Sequence, residues 1–217
     1  NIRVYEYTEM VMGLYDKYIL APFINCACGT KPITYQRKKV VPLAEGRVLE
    51  VGMGSALNLP YYDRDKVEFI WGLEPSVDMR EKAQSNIDKS GLEVKLIDLP
   101  GEEIPLEDNS VDSILLTYTL CTIPDWHSAL EQMRRVLKPG GKLIFTEHGN
   151  APDANVEKWQ RRINPVWKKL AGGCNLNRPI PDLITQSGFN MVDLESRYLP
   201  STPKLFAYNY WGVAEIA

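Results

Sequence analysis

Glu50 and Glu74 are the residues with the most chemistry to offer, because each closes an apolar run and a glycine turn lies between them. The first run, "RVLEV", passes directly into "GMGSALN". Gly52 and Gly54 therefore make a tight strand-to-helix turn that lets backbone come close to a ligand. The second run, "EFIWGLE", ends on Glu74, twenty residues after Gly54. Turns of this kind take nucleotides, and the neighbouring residue types say which one. A phosphate-cradling loop needs a closing Gly-Lys-Ser/Thr, but Ser55, Ala56 and Leu57 follow Gly54. A dinucleotide fingerprint needs a small residue where Leu57 stands, and Glu50 would repel a pyrophosphate. An acid just before the turn suits a cation without phosphates, which describes the sulfonium and ammonium groups of S-adenosylmethionine. Glu74 is then placed to accept both ribose hydroxyl protons.

The remaining candidates for chemistry are few. His148, in "TEHG" at the end of a predicted strand, is the best placed general base for a thiol or an activated ring carbon, and a bond to a loop carbonyl is the plainer reading. His127 falls in the first turn of a predicted helix and reads as surface. Cys26 and Cys28 could join Cys174 and His148 in a metal site, but a C-x-C with no second paired motif is a weak ligand signal, so no metal is expected.

These residues need an α/β scaffold. Short apolar runs at "RVLEV", "EFIWGLE", "EVKLID", "VDSILLTY" and "KLIFTEH" alternate with longer amphipathic stretches, the pattern of a mostly parallel sheet. One helix is predicted from the Ser76 cap to a stop at Gly91. Another runs from Asp125 to the Pro-Gly-Gly segment at 139–141. Beyond residue 190, "NMVDLESRYL" and "KLFAYNYWGVAEI", joined by "PSTP", predict a closing hairpin. Helical segments broken by Pro22, Gly29 and Pro32 form a cap over the carboxyl edge of the sheet. The organisation expected is one domain: cap 1–45, cofactor-binding core 46–150, lid or substrate segment 151–188 and C-terminal strands 189–217.

Composition narrows the partners. The 217 residues carry a formal charge of −3, so the broad positive field a nucleic-acid backbone requires is missing. Four cysteines without framework spacing fit a reducing cytoplasm, and no uncharged apolar run is long enough to span a bilayer. Trp159, Ile163, Val166 and Trp167 lie near helical spacing among Lys158, Arg161, Arg162, Lys168 and Lys169, with Pro165 interrupting the helix. That segment is either a packed lid with a solvated basic face or a lid resting on lipid headgroups. Tyr5, Tyr7, Tyr15 and Tyr18 either line an apolar acceptor pocket beneath it or pack the cap against the sheet.

Two further stretches carry a resemblance. "DLPGEEIPLEDNSVDSILLTYTLCTIPD" followed by "ALEQMRRVLKPGGKLIFTEHG" closely resembles class I S-adenosylmethionine-dependent methyltransferases, in particular the ubiquinone and menaquinone C-methyltransferase branch. The resemblance implies a Rossmann-like, seven-stranded sheet with its last strand antiparallel and helices on both faces. It places Glu50, Gly52 and Gly54 around the methionine part, Glu74 on the ribose, and Pro75, Ser76 and Met79 beside the adenine. Pro100 stands where the family has an acid, which leaves Gly101 and Glu102, or Asp98 as a substitute, to hold the base. Thr117 offers its carbonyl to the ammonium, and Tyr118 and Leu120 wall the methyl group. "WQRRINPVWKKLAGGCNLNR" and "YNYWGVA" resemble alkyl thiol methyltransferases and their bacterial relatives, many of which associate with membranes through an apolar anchor that these residues lack. The resemblance implies a small apolar acceptor, placed as quinone-like or phenolic ahead of alkyl thiols, with phospholipid amines third. Tyr15, Tyr18, Leu120, Trp159 and Trp167 are its candidate contacts, and peripheral membrane contact and oligomeric state are open. A second reading, a catalytically silent cofactor-binding sensor or partner subunit, rests on Pro100.

Overall fold

The computed structural model describes residues 29–217. Seven strands form one sheet: β1 (Gly46–Val51), β2 (Val67–Leu73), β3 (Val94–Ile97), β4 (Val111–Thr117), β5 (Leu137–His148), β6 (Phe189–Tyr198) and β7 (Tyr208–Ile216). Their order is β3-β2-β1-β4-β5-β7-β6. Neighbours from β3 to β5 pair in parallel, and β7 runs antiparallel to both β5 and β6.

The central strands read as near-continuous apolar runs because both faces are covered. On one face Leu49, Val51, Ile114, Leu116 and Phe145 pack with Leu130 and Met133 of α3 (Trp126–Val136) and Leu183 and Ile184 of α5 (Ile180–Gln186). On the other, Val48, Ile70, Leu115 and Ile144 pack with Val40 of α1 (Lys31–Val40) and Ala83 of α2 (Val77–Ser90). Helix limits follow from local chemistry. The Ser76 hydroxyl accepts from the Met79 amide at the start of α2, Gly91 at φ +67° ends it, and Asp125 caps α3 through the Ser128 amide.

Three predicted details are corrected. Pro32 does not break a helix but opens α1, since a first-turn residue has no amide bond to lose. Pro165 does not interrupt α4 (Ala154–Leu170), which runs through it on an exposed side, where a carbonyl that loses its helical hydrogen bond is left open to solvent. "KLFA" is a helical turn, α6 (Lys204–Ala207), and strand β7 starts only at Tyr208. Most of the predicted cap, with Tyr5, Tyr7, Tyr15, Tyr18, Cys26 and Cys28, lies outside the described residues. No helix among the described residues is long and apolar enough to cross a membrane.

Candidate active site

The carboxyl ends of β1, β2, β4 and β5 meet along one edge, and the chemistry-bearing residues collect there. Gly52 leaves β1 at φ +70°, donating its amide to the Leu73 carbonyl at 2.8 Å. A Cβ on Gly52 would lie 2.3 Å from Thr119 Cγ2 and 2.4 Å from its Oγ1, so glycine is required both by the turn and by the neighbour. Gly54, at φ +60°, donates its amide to Glu74 Oε2 at 2.8 Å, and Ser76 donates to Oε1 at 2.9 Å. Burial raises the Glu74 carboxyl above the ordinary range, and these two amides act against that rise. A carboxylate has about four acceptor directions. With two taken by amides, Glu74 keeps capacity for a vicinal diol.

Met79 sits beside the same turn, its Cε 3.3 Å from a Cβ built on Gly54. Pro75 is exposed and Ser76 half-buried. Gly54, Glu74, Ser76 and Met79 are thus brought together. Gly101 is packed towards Ile123, Val51 and Ala129, while Glu102 accepts from the Asp125 amide at 3.2 Å. Asp98 is 3.7 Å from Arg80.

Glu50 faces inward. It is 1 % exposed, and its two oxygens accept from Asn58 Nδ2 at 2.8 Å and the Tyr62 hydroxyl at 2.7 Å. Arg37 of α1 joins this network, donating to Asn58 Oδ1 and to Thr117 Oγ1, and Asn58 Nδ2 also donates to Thr117. The network ties α1, the segment after the glycine turn and the end of β4 to one buried carboxyl. Arg37, Asn58 and Tyr62 carry no motif, and only their burial identifies them.

Burial pushes the Glu50 carboxyl up to about 7, against the lowering effect of Tyr62, Asn58 and Arg37 and with a small upward contribution from Glu74. The folded chain therefore holds this proton well above 4.5, where an unfolded chain releases it. The stability tied to that proton is complete below 4.5 and is lost as pH rises through about 7. Relative to Glu50→Gln, the wild-type chain is expected to lose up to about 3 kcal/mol between about pH 5 and about pH 8. Urea denaturation of both proteins at the two pH values checks this, and a constant difference would mean the carboxyl is ionised throughout.

At the end of β4, Tyr118 adopts φ +58° and donates its hydroxyl to Asn209 of β7 at 2.8 Å. Leu120, expected beside the methyl group, is fully buried in the core. The buried Glu147 carboxylate accepts from the amides of Thr119, Leu120 and Cys121, which holds this loop in place. His148 does not bond a loop carbonyl through Nε2; that atom is 3.2 Å from Cys174 Sγ, which lies 3.9 Å from Cys121 Sγ. Pairing with Cys121 and the adjacent His148 lower the Cys174 thiol, while the same pairing and burial drive the Cys121 thiol upward. The nearby Trp167 indole lowers the Cys174 thiol as well, and its ring lies 4.7 Å from that of Phe206 at a 40° tilt. Trp159, by contrast, is 54 % exposed. The grouping weighed and set aside in the sequence, Cys26 and Cys28 with Cys174 and His148, left out Cys121, which is 53 residues away from Cys174 and has no spacing signal.

The glycine turn that a side chain would fill, the acceptor-only carboxylate beside it and the absence of a phosphate motif fit S-adenosylmethionine. Fold and site together define a Rossmann-like S-adenosylmethionine-dependent methyltransferase. A methyltransferase-domain family model matches residues 49–145. Rat thiol S-methyltransferase TMT1B is 31% identical over 171 residues, covering 74% of this chain and 69% of that protein. Phosphatidylethanolamine N-methyltransferase of Cereibacter sphaeroides is 30% identical, covering 52% and 57% respectively. The YcgJ protein of Bacillus subtilis shares the fold with a TM-score of 0.66 at 16% identity, over 85% of this chain and 97% of that one. The chain belongs to the S-adenosylmethionine-dependent methyltransferase family that includes TMT1B. It is an enzyme, and its relatives are in keeping with a small-molecule acceptor.

Proposed function

We propose that this methyltransferase methylates the sulfur of small alkyl thiols. The observation that carries the reading is the similarity to TMT1B, named a thiol S-methyltransferase, which extends over 74% of the chain against 52% for the phospholipid amine enzyme. This reverses the order expected from the sequence, in which quinone-like and phenolic acceptors stood ahead of thiols.

The cofactor supplies a methyl group already activated on a sulfonium, so the protein's task is alignment and exclusion of water. In this reading Glu74 holds the ribose hydroxyls through its two spare acceptor directions. Gly52 and Gly54 bring backbone against the methionine part. Pro75, Ser76 and Met79 flank the adenine, and Gly101 and Glu102 close its edge without the acid that Pro100 replaces. Thr117 and Tyr118 present backbone at the end of β4. Glu50 acts from behind, holding the turn and α1 together through Asn58 and Tyr62. Trp167 closes the acceptor side from α4, within the 151–188 segment.

Trp159, Val166 and Leu170, which are 54 %, 62 % and 56 % exposed, recur at helical spacing on one stripe of α4. Lys158, Arg161, Arg162 and Lys169 flank them. An apolar stripe bordered by cations suits peripheral contact with an anionic lipid surface, the source from which an apolar thiol partitions.

Turnover of an alkanethiol, a quinol, a phenol and phosphatidylethanolamine, with and without anionic vesicles, tests both points. The alkanethiol is expected to exceed each other acceptor by about 100-fold or more in kcat/KM, with protein recovered on the vesicles. Preference for any other acceptor overturns the thiol assignment. Protein left entirely in solution overturns the lipid contact.

A further inference from the structure

Three soft donors from distant parts of the chain meet at the carboxyl edge of the sheet. Cys121 lies in the loop after β4, His148 closes β5, and Cys174 follows the Gly172-Gly173 turn beyond α4. Their ligand atoms all lie within 4.8 Å of one another, with 3.2 Å from His148 Nε2 to Cys174 Sγ and 3.9 Å between the sulfurs. A tetrahedral zinc ion, bonded at about 2.3 Å to sulfur and about 2.0 Å to nitrogen, sets neighbouring ligand atoms about 3.5 to 3.8 Å apart. These two separations bracket that spacing. Both cysteines are free, and their sulfurs are far beyond the roughly 2.05 Å of a disulfide.

The loops that carry the cysteines are fastened to one another. Asn175 donates its amide and its Nδ2 to the Cys121 carbonyl at 2.9 and 3.0 Å, and Arg178 donates to the Leu120 carbonyl. Glu147 holds the Thr119–Cys121 amides from below. Thr119, two residues before Cys121, packs against Gly52, so the cluster borders the cofactor turn.

We propose that Cys121, His148 and Cys174 form a binding site for a thiophilic divalent cation of the zinc class, whose fourth position takes the sulfur of the acceptor. Three protein ligands with one open position is the arrangement of catalytic rather than structural zinc. A thiol entering that position binds as the thiolate and gives its proton to solvent. Its sulfur then forms the new S–CH3 bond while the methyl–sulfonium bond breaks, the electron pair staying on the departing thioether. Metal-ligand duty for His148 replaces the general-base role expected from sequence, and the site departs from the expectation of no metal. The acceptor role rests on the thiol reading above; the cation site does not.

The reduced full chain, loaded with Zn2+ and dialysed, is expected to retain about one ion per chain. With Co2+ it is expected to show a thiolate-to-cobalt charge-transfer band and tetrahedral ligand-field bands. Cys121→Ser and Cys174→Ser should each weaken Co2+ uptake by more than about 100-fold, with unchanged far-ultraviolet circular dichroism. If either variant misfolds, His148→Gln supplies the same comparison. No band, equal uptake by the variants, or a Cys121–Cys174 disulfide in a protein that takes up no metal after reduction overturns the site. Adding an alkanethiol to the Co2+ form should shift the charge-transfer band; an unshifted band overturns the acceptor role and leaves the cation site standing. Failure of the thiol reading shows separately, as absent thiol turnover with Co2+ still bound.

Discussion

Glu74→Ala is expected to weaken S-adenosylmethionine binding by about 100- to 10,000-fold, because the two charge-assisted hydrogen bonds proposed to the ribose, each about 1.5 to 3 kcal/mol, would be lost together. The same change releases the Gly54 and Ser76 amides, which now end on the two carboxylate oxygens. Glu74→Gln, which keeps one acceptor oxygen, should fall between the two. Calorimetric titration with the cofactor and with its demethylated product measures the effect directly. Binding by Glu74→Ala within a few-fold of the wild-type protein would remove Glu74 from the ribose. Since burial raises this carboxyl, affinity in the wild-type chain should also decline on acidification sooner than an ordinary surface carboxylate would cause.

Gly52→Ala should be nearly as damaging by a different route. The new methyl group would fall 2.3 Å from Thr119 Cγ2 at a backbone angle of φ +70° that disfavours any side chain. Left-handed backbone costs about 1 to 2 kcal/mol for an L residue, and overlap of this kind adds a further 1 to 3 kcal/mol, roughly. Moving Thr119 out of the way disturbs the loop that Glu147 holds, so cofactor affinity should fall along with stability. Adding Thr119→Ala to Gly52→Ala separates the two costs. The double variant should recover the steric part, seen as a partial return of the unfolding midpoint, and retain the backbone part. A single variant as stable as the wild-type protein would show that the turn relaxes freely.

Much of the scaffold could be read from residue types because its physics is local. Apolar runs bounded by turn residues identify strands covered on both faces, and Ser76, Asp125 and Gly91 mark helix ends through bonds within a few residues. The Gly52–Gly54 turn and Glu74 were legible for the same reason, since spacing alone sets an acid at the end of the adjacent strand. What escaped was long-range. Arg37 carries no motif, yet it is only 6 % exposed because Asn58 and Thr117 supply acceptors from elsewhere in the fold. Cys121 looks like one more apolar residue until topology brings it to Cys174. Pro165 has the strongest local signal for a break, but a solvent-facing helix tolerates one missing amide. Its place before the glycine turn presents Glu50 to the ligand, and only the Asn58 and Tyr62 contacts reveal that it points inward.

The placing of β7 between β5 and β6 has a consequence for biosynthesis. β7 follows both neighbours along the chain, and β6 has β7 as its sheet partner. While the protein is being translated, β5 keeps an open edge and β6 stays undocked until Tyr208–Ile216 has left the ribosome. A nascent chain stalled in that interval presents two unpaired strand edges, the surfaces most prone to pairing with another chain. Chaperone demand should therefore peak before β7 emerges and fall once that strand slides between the two that preceded it.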